Sequence, residues 1–319
     1  MIFERKIYPV GHGGFAVEQI KDGMGQICCT VVFDCGTKPN TNPILNNHIN
    51  NLKKSGTTTI DALVLSHFDS DHVDGIHTLA TTFHVKTVYI PKIPLQHQPL
   101  FNALALNAYD EILLILKDSE IIEVDSDNDI SFTNNNWNWK IKSLLTASDW
   151  IRLQTVMAKN GLNVKLLNNA QYISQNLQNI KQAYHTIFSS YKINKKGLIL
   201  LSYASVVIKS CSVSYNNNSI SETENACFYT GDAKIKSGND IQSILPFING
   251  IKLLLAQIPH HGSKSNSDQQ FVGLASSLYF YCDKDQNRFS RNTLSQIPHI
   301  SILFVGTKSN ETIINSITF

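Results

Sequence analysis

Short apolar runs closed by polar, turn-forming residues recur along the chain, and four of them lead straight into residues able to carry chemistry. Val31, Val32 and Phe33 lead into Asp34, Cys35 and Gly36. Ala62–Leu65 lead into Ser66 and His67. Ala226–Tyr229 lead into Thr230, Gly231 and Asp232. Leu253–Ile258 lead into Pro259, His260, His261 and Gly262. Runs of this length, bounded by turn residues, read as buried strands. The pattern predicts strands over 27–34, Ile60–Ser66, Lys86–Pro91, Gly197–Ile208, 225–231, 252–259 and 277–282, with a hairpin over 2–10 and 14–20 that turns at Gly11–Gly14. Helices are predicted over Asn42–Lys54 and over Val73–Phe83, the latter starting just after His72 so that its first N–H groups point back at that residue. A third is predicted over Phe101–Lys117, where Leu106, Tyr109, Leu113 and Leu116 fall at helical spacing.

Residues 118–190 are rich in Asn, Asp and Ser and hold Trp137, Trp139 and Trp150. We read 120–145 as hairpin-like and 165–190 as one or two helices. The polar stretch Ser214–Glu222 reads as a loop between strands. The chain is expected to be a single domain over 1–319, with 118–190 an insertion or lid inside it. The three tryptophans are expected to pack an accessory helix on the sheet, with base stacking as the alternative.

The densest chemistry is at the end of the Ile60–Ser66 strand, where His67, Asp69, Asp71 and His72 stand within a single short loop. Imidazole and carboxylate are ligands for zinc and its harder relatives. No Lys or Arg lies between them, so the cluster repels itself unless a cation neutralises it. Four strand ends carrying such groups, brought to one edge of a sheet, is how α/β architectures build sites.

These residues resemble the metallo-β-lactamase fold superfamily. The nearest likeness is to the soluble metallo-hydrolase domain of the competence DNA-uptake channel protein and its free-standing bacterial relatives. The resemblance rests on Ser66, His67, Asp69, Asp71 and His72 (S-H-x-D-x-D-H), on Thr230, Gly231, Asp232 and Ala233 (T-G-D-A), and on Pro259–Ser263 (P-H-H-G-S). It also includes Asp34, Cys35 and Gly36, and an opening at Gly11, His12 and Gly13 that is similar to a G-Q-G hairpin. It implies an α/β fold, a four-layer αββα sandwich, with the inserted segment between the second and third metal motifs.

The resemblance further implies one or two divalent ions, Zn2+ first, with Mn2+ or Mg2+ as alternatives. By position, His67, Asp69 and Asp232 hold one ion. Asp71, His72, Asp232 and a histidine of the 260–261 pair hold the other, with His261 favoured because it directly precedes the Gly262 turn. Asp34 falls behind the ligands and orients one of them. Asp71 and His260 are the candidate catalytic side chains, His260 as a proton donor to the leaving oxygen. Asp69 replaces the second histidine of the common motif, a harder ligand that lowers the preference for zinc. The first ion therefore reads as under-liganded, and His77, His84, His97 and His185 are candidates for a further ligand. Asn287–Asn292 lacks the Gly-His-Pro seen in relatives. Lys264, Arg288 and Arg291 are candidate phosphate contacts.

Composition narrows this less. A chain with 42% hydrophobic and 16% charged residues is globular. No apolar run reaches the length of a membrane span and no secretory signal is visible, so a cytoplasmic setting is expected. The six cysteines form no C-x-x-C pair; Cys28, Cys29 and Cys227 read as small buried hydrophobes, and Cys35 as a small residue fitting a turn. Lys195, Lys196, Lys234, Lys236, Lys264, Arg288 and Arg291 bracket the motifs as a possible phosphate track, while a net charge of only +2 argues against tight binding of long duplex. The expected activity is metal-dependent hydrolysis, as a phosphodiesterase or nuclease acting on DNA or RNA through metal-activated water. The alternative is a hydrolase of a small molecule such as a nucleotide, phosphocholine ester, lactone or thioester.

Overall fold

The computed structural model describes residues 1–98, 108–188, 196–235, 238–263, 266, 271, 274–283 and 301–319. Its strands are β1 (Ile2–Ile7), β2 (Gly13–Lys21), β3 (Ile27–Thr37), β4 (Thr59–Val64), β5 (His84–Pro91), β6 (Glu120–Val124), β7 (Ile130–Asn134), β8 (Trp137–Ser143), β9 (Leu198–Ala204), β10 (Ser210–Tyr215), β11 (Asn218–Glu222), β12 (Ala226–Tyr229), β13 (Leu253–Gln257), β14 (Ala275–Cys282), β15 (Ser301–Val305) and β16 (Ile313–Thr318). Among the described residues they form two sheets, ordered β11-β10-β16-β1-β2-β3-β4-β5-β6 and β15-β14-β13-β12-β9-β8-β7. β3 to β6 run parallel in the first sheet, and β12 to β15 run parallel in the second.

The alternation of strand side chains divides the apolar residues between two faces. Ala16, Val31, Phe33, Ala62 and Val64 of the first sheet meet Leu198, Leu200, Cys227 and Tyr229 of the second between the sheets. Their neighbours Val17, Val32 and Leu63 face outward and are covered by helices. Those helices are α1 (Asn42–Lys54), α2 (Ser70–Val73), α3 (Ile76–Thr82), α4 (Ala108–Ile115), α5 (Ala147–Lys159) and α6 (Ala170–Phe188). Leu45, Ile49, Leu79, Ile112, Leu153, Met157 and Ile180 are their contributions to that outer core. On the far side, α7 (Gly238–Ile248) buries Ile244 and Phe247 against Ile199, Leu201 and Phe228. The layering is the expected αββα sandwich.

One polar group is sealed between the sheets. Arg5, fully buried, donates through Nε to Glu18 Oε1 at 2.7 Å and through Nη1 to Asn315 Oδ1 at 2.6 Å. Glu18 also accepts from Trp139 Nε1, Ser202 Oγ and Tyr229 OH. Glu18 and Asn315 stand in register with Arg5 on the neighbouring strands β2 and β16, and Trp139, Ser202 and Tyr229 reach in from the second sheet, so this charge pair is compensated by hydrogen bonds as a buried pair must be.

Several expectations need correction. Residues 120–145 are not one hairpin: β6 pairs parallel with β5 in the first sheet, and the hairpin of β7 and β8 begins at Ile130 in the second. Residues 118–190 supply these strands together with α5 and α6. Trp137 and Trp139 are fully buried between the sheets, with Trp137 stacked on Phe3, and Trp150 packs on His97. Base stacking by these three rings is excluded. The expected loop Ser214–Glu222 is a hairpin of β10 and β11, turned by Asn216 and Asn217 at φ 49° and 62°. Asn tolerates that left-handed backbone, and the same Asn-Asn chemistry turns β7 into β8 at Asn135 and Asn136. The helix expected from Val73 instead begins at Ser70 and breaks at Asp74, where Gly75 N–H donates to Cys35 O. Asp71 and His72 therefore lie within a helical turn, not before it. Part of the helix predicted over Phe101–Lys117 lies outside the described residues. Cys28 is exposed, not buried.

Candidate metal centre

The carboxyl ends of β3, β4, β12, β13 and β14 and the amino end of β2 meet at one edge of the sandwich. β3 delivers Asp34, β4 delivers His67, and the turn α2 behind it delivers Asp71 and His72. The turns after β12 and β13 deliver Asp232, His260 and His261. Close packing makes this convergence possible. A side chain at Gly36 would strike the backbone of His72 and Val73, and one at Gly197 would strike Ser66 O, so both positions bring the chain against the ligand loop. Asp34, His260 and His261 all have positive φ, at 54°, 51° and 53°. Non-glycine residues hold such backbone only where the surroundings enforce it, commonly at functional sites.

The histidines are arranged alike. His72 donates through Nδ1 to Asp34 Oδ2 at 2.7 Å, and its Nε2 lies 3.4 Å from Asp232 Oδ1. His67 donates through Nδ1 to Ser66 Oγ at 2.8 Å, Ser66 passes its own proton to Asp34 Oδ2, and His67 Nε2 lies 3.8 Å from Asp232 Oδ2. His261 donates through Nδ1 to Cys282 O at 2.8 Å, and its Nε2 stands 3.3 Å from Asp71 Oδ2 and 3.5 Å from Asp232 Oδ1. Each Nδ1–H is spent on an outer acceptor. In the neutral tautomer each Nε2 then turns a lone pair toward a carboxylate oxygen, and lone pairs face lone pairs at 3.3–3.8 Å. A proton or a cation must lie between them.

Burial sharpens the point. His67 Nε2, His72 Nε2, His261 Nε2 and Asp232 Oδ1 are buried and have no hydrogen-bond partner among the described residues. Unsatisfied buried groups are rare and costly. Burial and the neighbouring His72 hold the His67 imidazole well below the usual histidine range. At His72 burial acts the same way, but Asp34 and Asp232 outweigh it and hold the ring well above that range. Burial opposes charge on Asp232, yet His261 and His72 hold its carboxyl well below the usual range, and His12 and His261 do the same for Asp71. The donor set is nitrogen and carboxylate oxygen throughout, with orphaned atoms aimed inward. These residues fit a divalent cation.

Two ligand groups emerge among the described residues: His67 with His72 and Asp232, and Asp71 with His261 and His12. In each, the ligand atoms lie within 4.8 Å of one another. Asp232 touches both, with Oδ1 near His72 and His261 and Oδ2 near His67. Asp69 is more distant, its Oδ2 4.0 Å from His67 Nε2. His260 is half-exposed, with Nε2 3.8 Å from Asp232 Oδ2. Asp34 sits behind, also accepting from Ser66 N–H. Of the further histidine candidates, His77, His84 and His185 are exposed, and His97 is buried against Trp150. None of the four falls in either group. Cys35 is fully buried, its thiol pushed up by burial and by Asp34. Lys264, Arg288 and Arg291 lie outside the described residues, as do Lys195 and Lys236.

Sequence reasoning missed His12 and Asp283. His12 Nδ1 is 3.0 Å from Asp283 Oδ1 and its Nε2 is 3.2 Å from Asp71 Oδ2. Asp283 follows β14, whose parallel pairing with β13 carries it to the same edge as His261. The available signal was the position of His12 among glycines, Gly11 to Gly14, at a strand start.

A cleft of about 430 Å³ is lined in part by Lys142, Lys196, Lys234, Asp127, Asp240 and Ser243, and none of the candidate ligands lines it. Lys196 adjoins Gly197, which packs on Ser66, and Lys234 is two residues past Asp232.

Residues 29–127 match the model of the metallo-beta-lactamase superfamily, a span that runs from β3 through the His67–His72 loop to β6. The two sheets and their covering helices are consistent with the metallo-β-lactamase sandwich fold, and the described residues include candidate His and Asp ligand groups for divalent metal. The chain is similar to the metallo-beta-lactamase fold protein YhfI from Bacillus subtilis, at 10% identity over 97% of this chain and 98% of that one, TM-score 0.47. It is also similar to Zn(2+)-bound PqqB from Methylobacterium extorquens, at 10% identity over 97% and 92%, TM-score 0.43. A third similar structure is a diphosphatase from the PhnP family, at 10% identity over 100% of both chains, TM-score 0.43. No curated protein matches the chain.

Proposed function

We propose that this chain hydrolyses phosphodiesters with one or two divalent cations bound at the edge where Asp232 stands between the two ligand groups. The observation that carries the reading is the common orientation of the histidines, Nδ1 tied outward and Nε2 aimed at shared carboxylates. When bound, the cations supply Lewis acidity to a phosphoryl oxygen and lower the pKa of water. Zn2+ suits the imidazoles, while the carboxylates, Asp69 among them, admit Mn2+ or Mg2+. We assign His67, Asp69, Asp71, His72, Asp232 and His261 to the ligand set and Asp34 to the orientation of His72.

His260 is half-exposed beside Asp232, where substrate can reach it, and delivers a proton to the departing oxygen. Asp71 orients the attacking water by accepting its hydrogen bond. Lys234, two residues past Asp232, is the cation we assign to the phosphate, since Lys196 pairs with Asp149 at 3.7 Å. The likeness to the competence-protein domain favours DNA or RNA as the polymer, cut in the cytoplasm. The modest net charge favours single strands over long duplex.

A second reading, a small phosphodiester as substrate, is favoured by the net charge of only +2, which gives little hold on a polymer. The test is an assay of protein loaded with zinc or manganese on single-stranded DNA, RNA, plasmid and bis(p-nitrophenyl) phosphate, run beside a lactone and a thioester. Cleavage of single strands supports the nuclease, and cleavage of bis(p-nitrophenyl) phosphate alone supports the small ester. Turnover of the lactone or thioester with no phosphodiester cut overturns both.

A further inference from the structure

We infer that His12, oriented by Asp283, is a further ligand of the second cation position, beside Asp71 and His261. The inference rests on the cation-binding reading above and adds a ligand to it.

His12 repeats the arrangement of the other three histidines. Its Nδ1 is 3.0 Å from Asp283 Oδ1, an acceptor outside the centre, and its Nε2 is 3.2 Å from Asp71 Oδ2. An imidazole held at one nitrogen by a carboxylate, with the other nitrogen aimed into a ligand cluster, is the arrangement that fixes the tautomer of metal-binding histidines. The His12 and His261 rings lie 3.8 Å apart, and both Nε2 atoms converge on the same oxygen, Asp71 Oδ2. His12 and Asp283 are 8% and 4% exposed, so the pair is screened from water. The fold puts it there by two routes. The turn into β2 runs beside β3, with Lys38 N–H donating to His12 O, and β14 carries Asp283 past His261 through the Cys282 carbonyl.

His72 Nε2 and His261 Nε2 lie 3.4 and 3.5 Å from the same oxygen, Asp232 Oδ1, while His67 Nε2 lies 3.8 Å from Asp232 Oδ2. His12 adds a ligand to the position that Asp71 and His261 mark, and Asp232 serves both.

The test uses chelator-stripped full-length protein, titrated with Zn2+ by calorimetry and with Co2+ by its visible absorption. Wild type is compared with His12→Gln and Asp283→Asn, and circular dichroism confirms that each variant folds. Two equivalents are expected in wild type. His12→Gln should weaken the second by about 100-fold and Asp283→Asn by about 10-fold, while the first stays within about threefold. Should His12→Gln not fold, Asp283→Asn decides by the same comparison. Second-equivalent affinity as in wild type means that His12 only forms an ion pair with Asp71 and Asp283, and overturns the inference. Absence of any binding by wild type instead overturns the cation-binding reading on which it rests.

Discussion

Asp34 Oδ2 receives the His72 Nδ1 proton at 2.7 Å while the same carboxylate accepts from the backbone and hydroxyl of Ser66. One residue at the end of β3 thus fixes both imidazoles of the first ligand group, His72 directly and His67 through Ser66. Asp34→Asn should fold and should lose about 10- to 100-fold in zinc affinity, because an amide has one accepting oxygen where the carboxylate uses two. A competition titration against a chromogenic chelator checks this. Unchanged affinity would show that the orientation of His72 does not matter.

Asp232 stands between the groups, so its loss should reach both. Asp232→Ala is expected to abolish hydrolysis and to weaken both equivalents, whereas Asp69→Ala should weaken mainly the first. Turnover near wild type with full metal content in Asp232→Ala would contradict the shared role.

The Arg5–Glu18 pair makes a prediction about stability alone. Glu18→Ala leaves a buried guanidinium and the donors of Trp139, Ser202 and Tyr229 without their acceptor. Urea unfolding should show a loss of about 3–5 kcal/mol. A loss under about 1 kcal/mol would mean that water or a rearranged partner replaces the carboxylate.

His97 gives a pH dependence separate from the centre. It is fully buried against Trp150, neither ring nitrogen has a partner among the described residues, and burial lowers its pKa to about 4. The unfolded chain protonates near 6.5 and the folded one only near 4, so the unfolded state binds more protons between these values. Stability should therefore fall as pH drops from about 6.5 to about 4, by up to roughly 3 kcal/mol. His97→Phe should flatten that part of the profile. An unchanged slope would assign it to other groups.

How much of this the sequence discloses depends on where the information lies. The His67–His72 loop is legible because its ligands are local, and the strand ends at Asp34, Asp232 and His261 because each closes an apolar run. His12 and Asp283 carry no such local mark. They are single residues whose meaning comes from the pairing of β2 with β3 and of β14 with β13, contacts 271 positions apart in the case of their own hydrogen bond. β11 was hidden for a different reason: four of its five residues are exposed, so it lacks the apolar alternation by which a strand is read. The tryptophans read as packing for an accessory helix, while the alternation of β8 turns Trp137 and Trp139 together into the core between the sheets, two residues apart on one face.

The most direct test of the whole account is metal content with position: elemental analysis of protein reconstituted with Zn2+ or Mn2+, and anomalous scattering from its crystals. Two ions per chain with Asp232 between them, one against His67 and Asp69 and one against Asp71, His12 and His261, is the predicted result. Protein that takes up neither metal, its histidines still facing bare carboxylates, would contradict it.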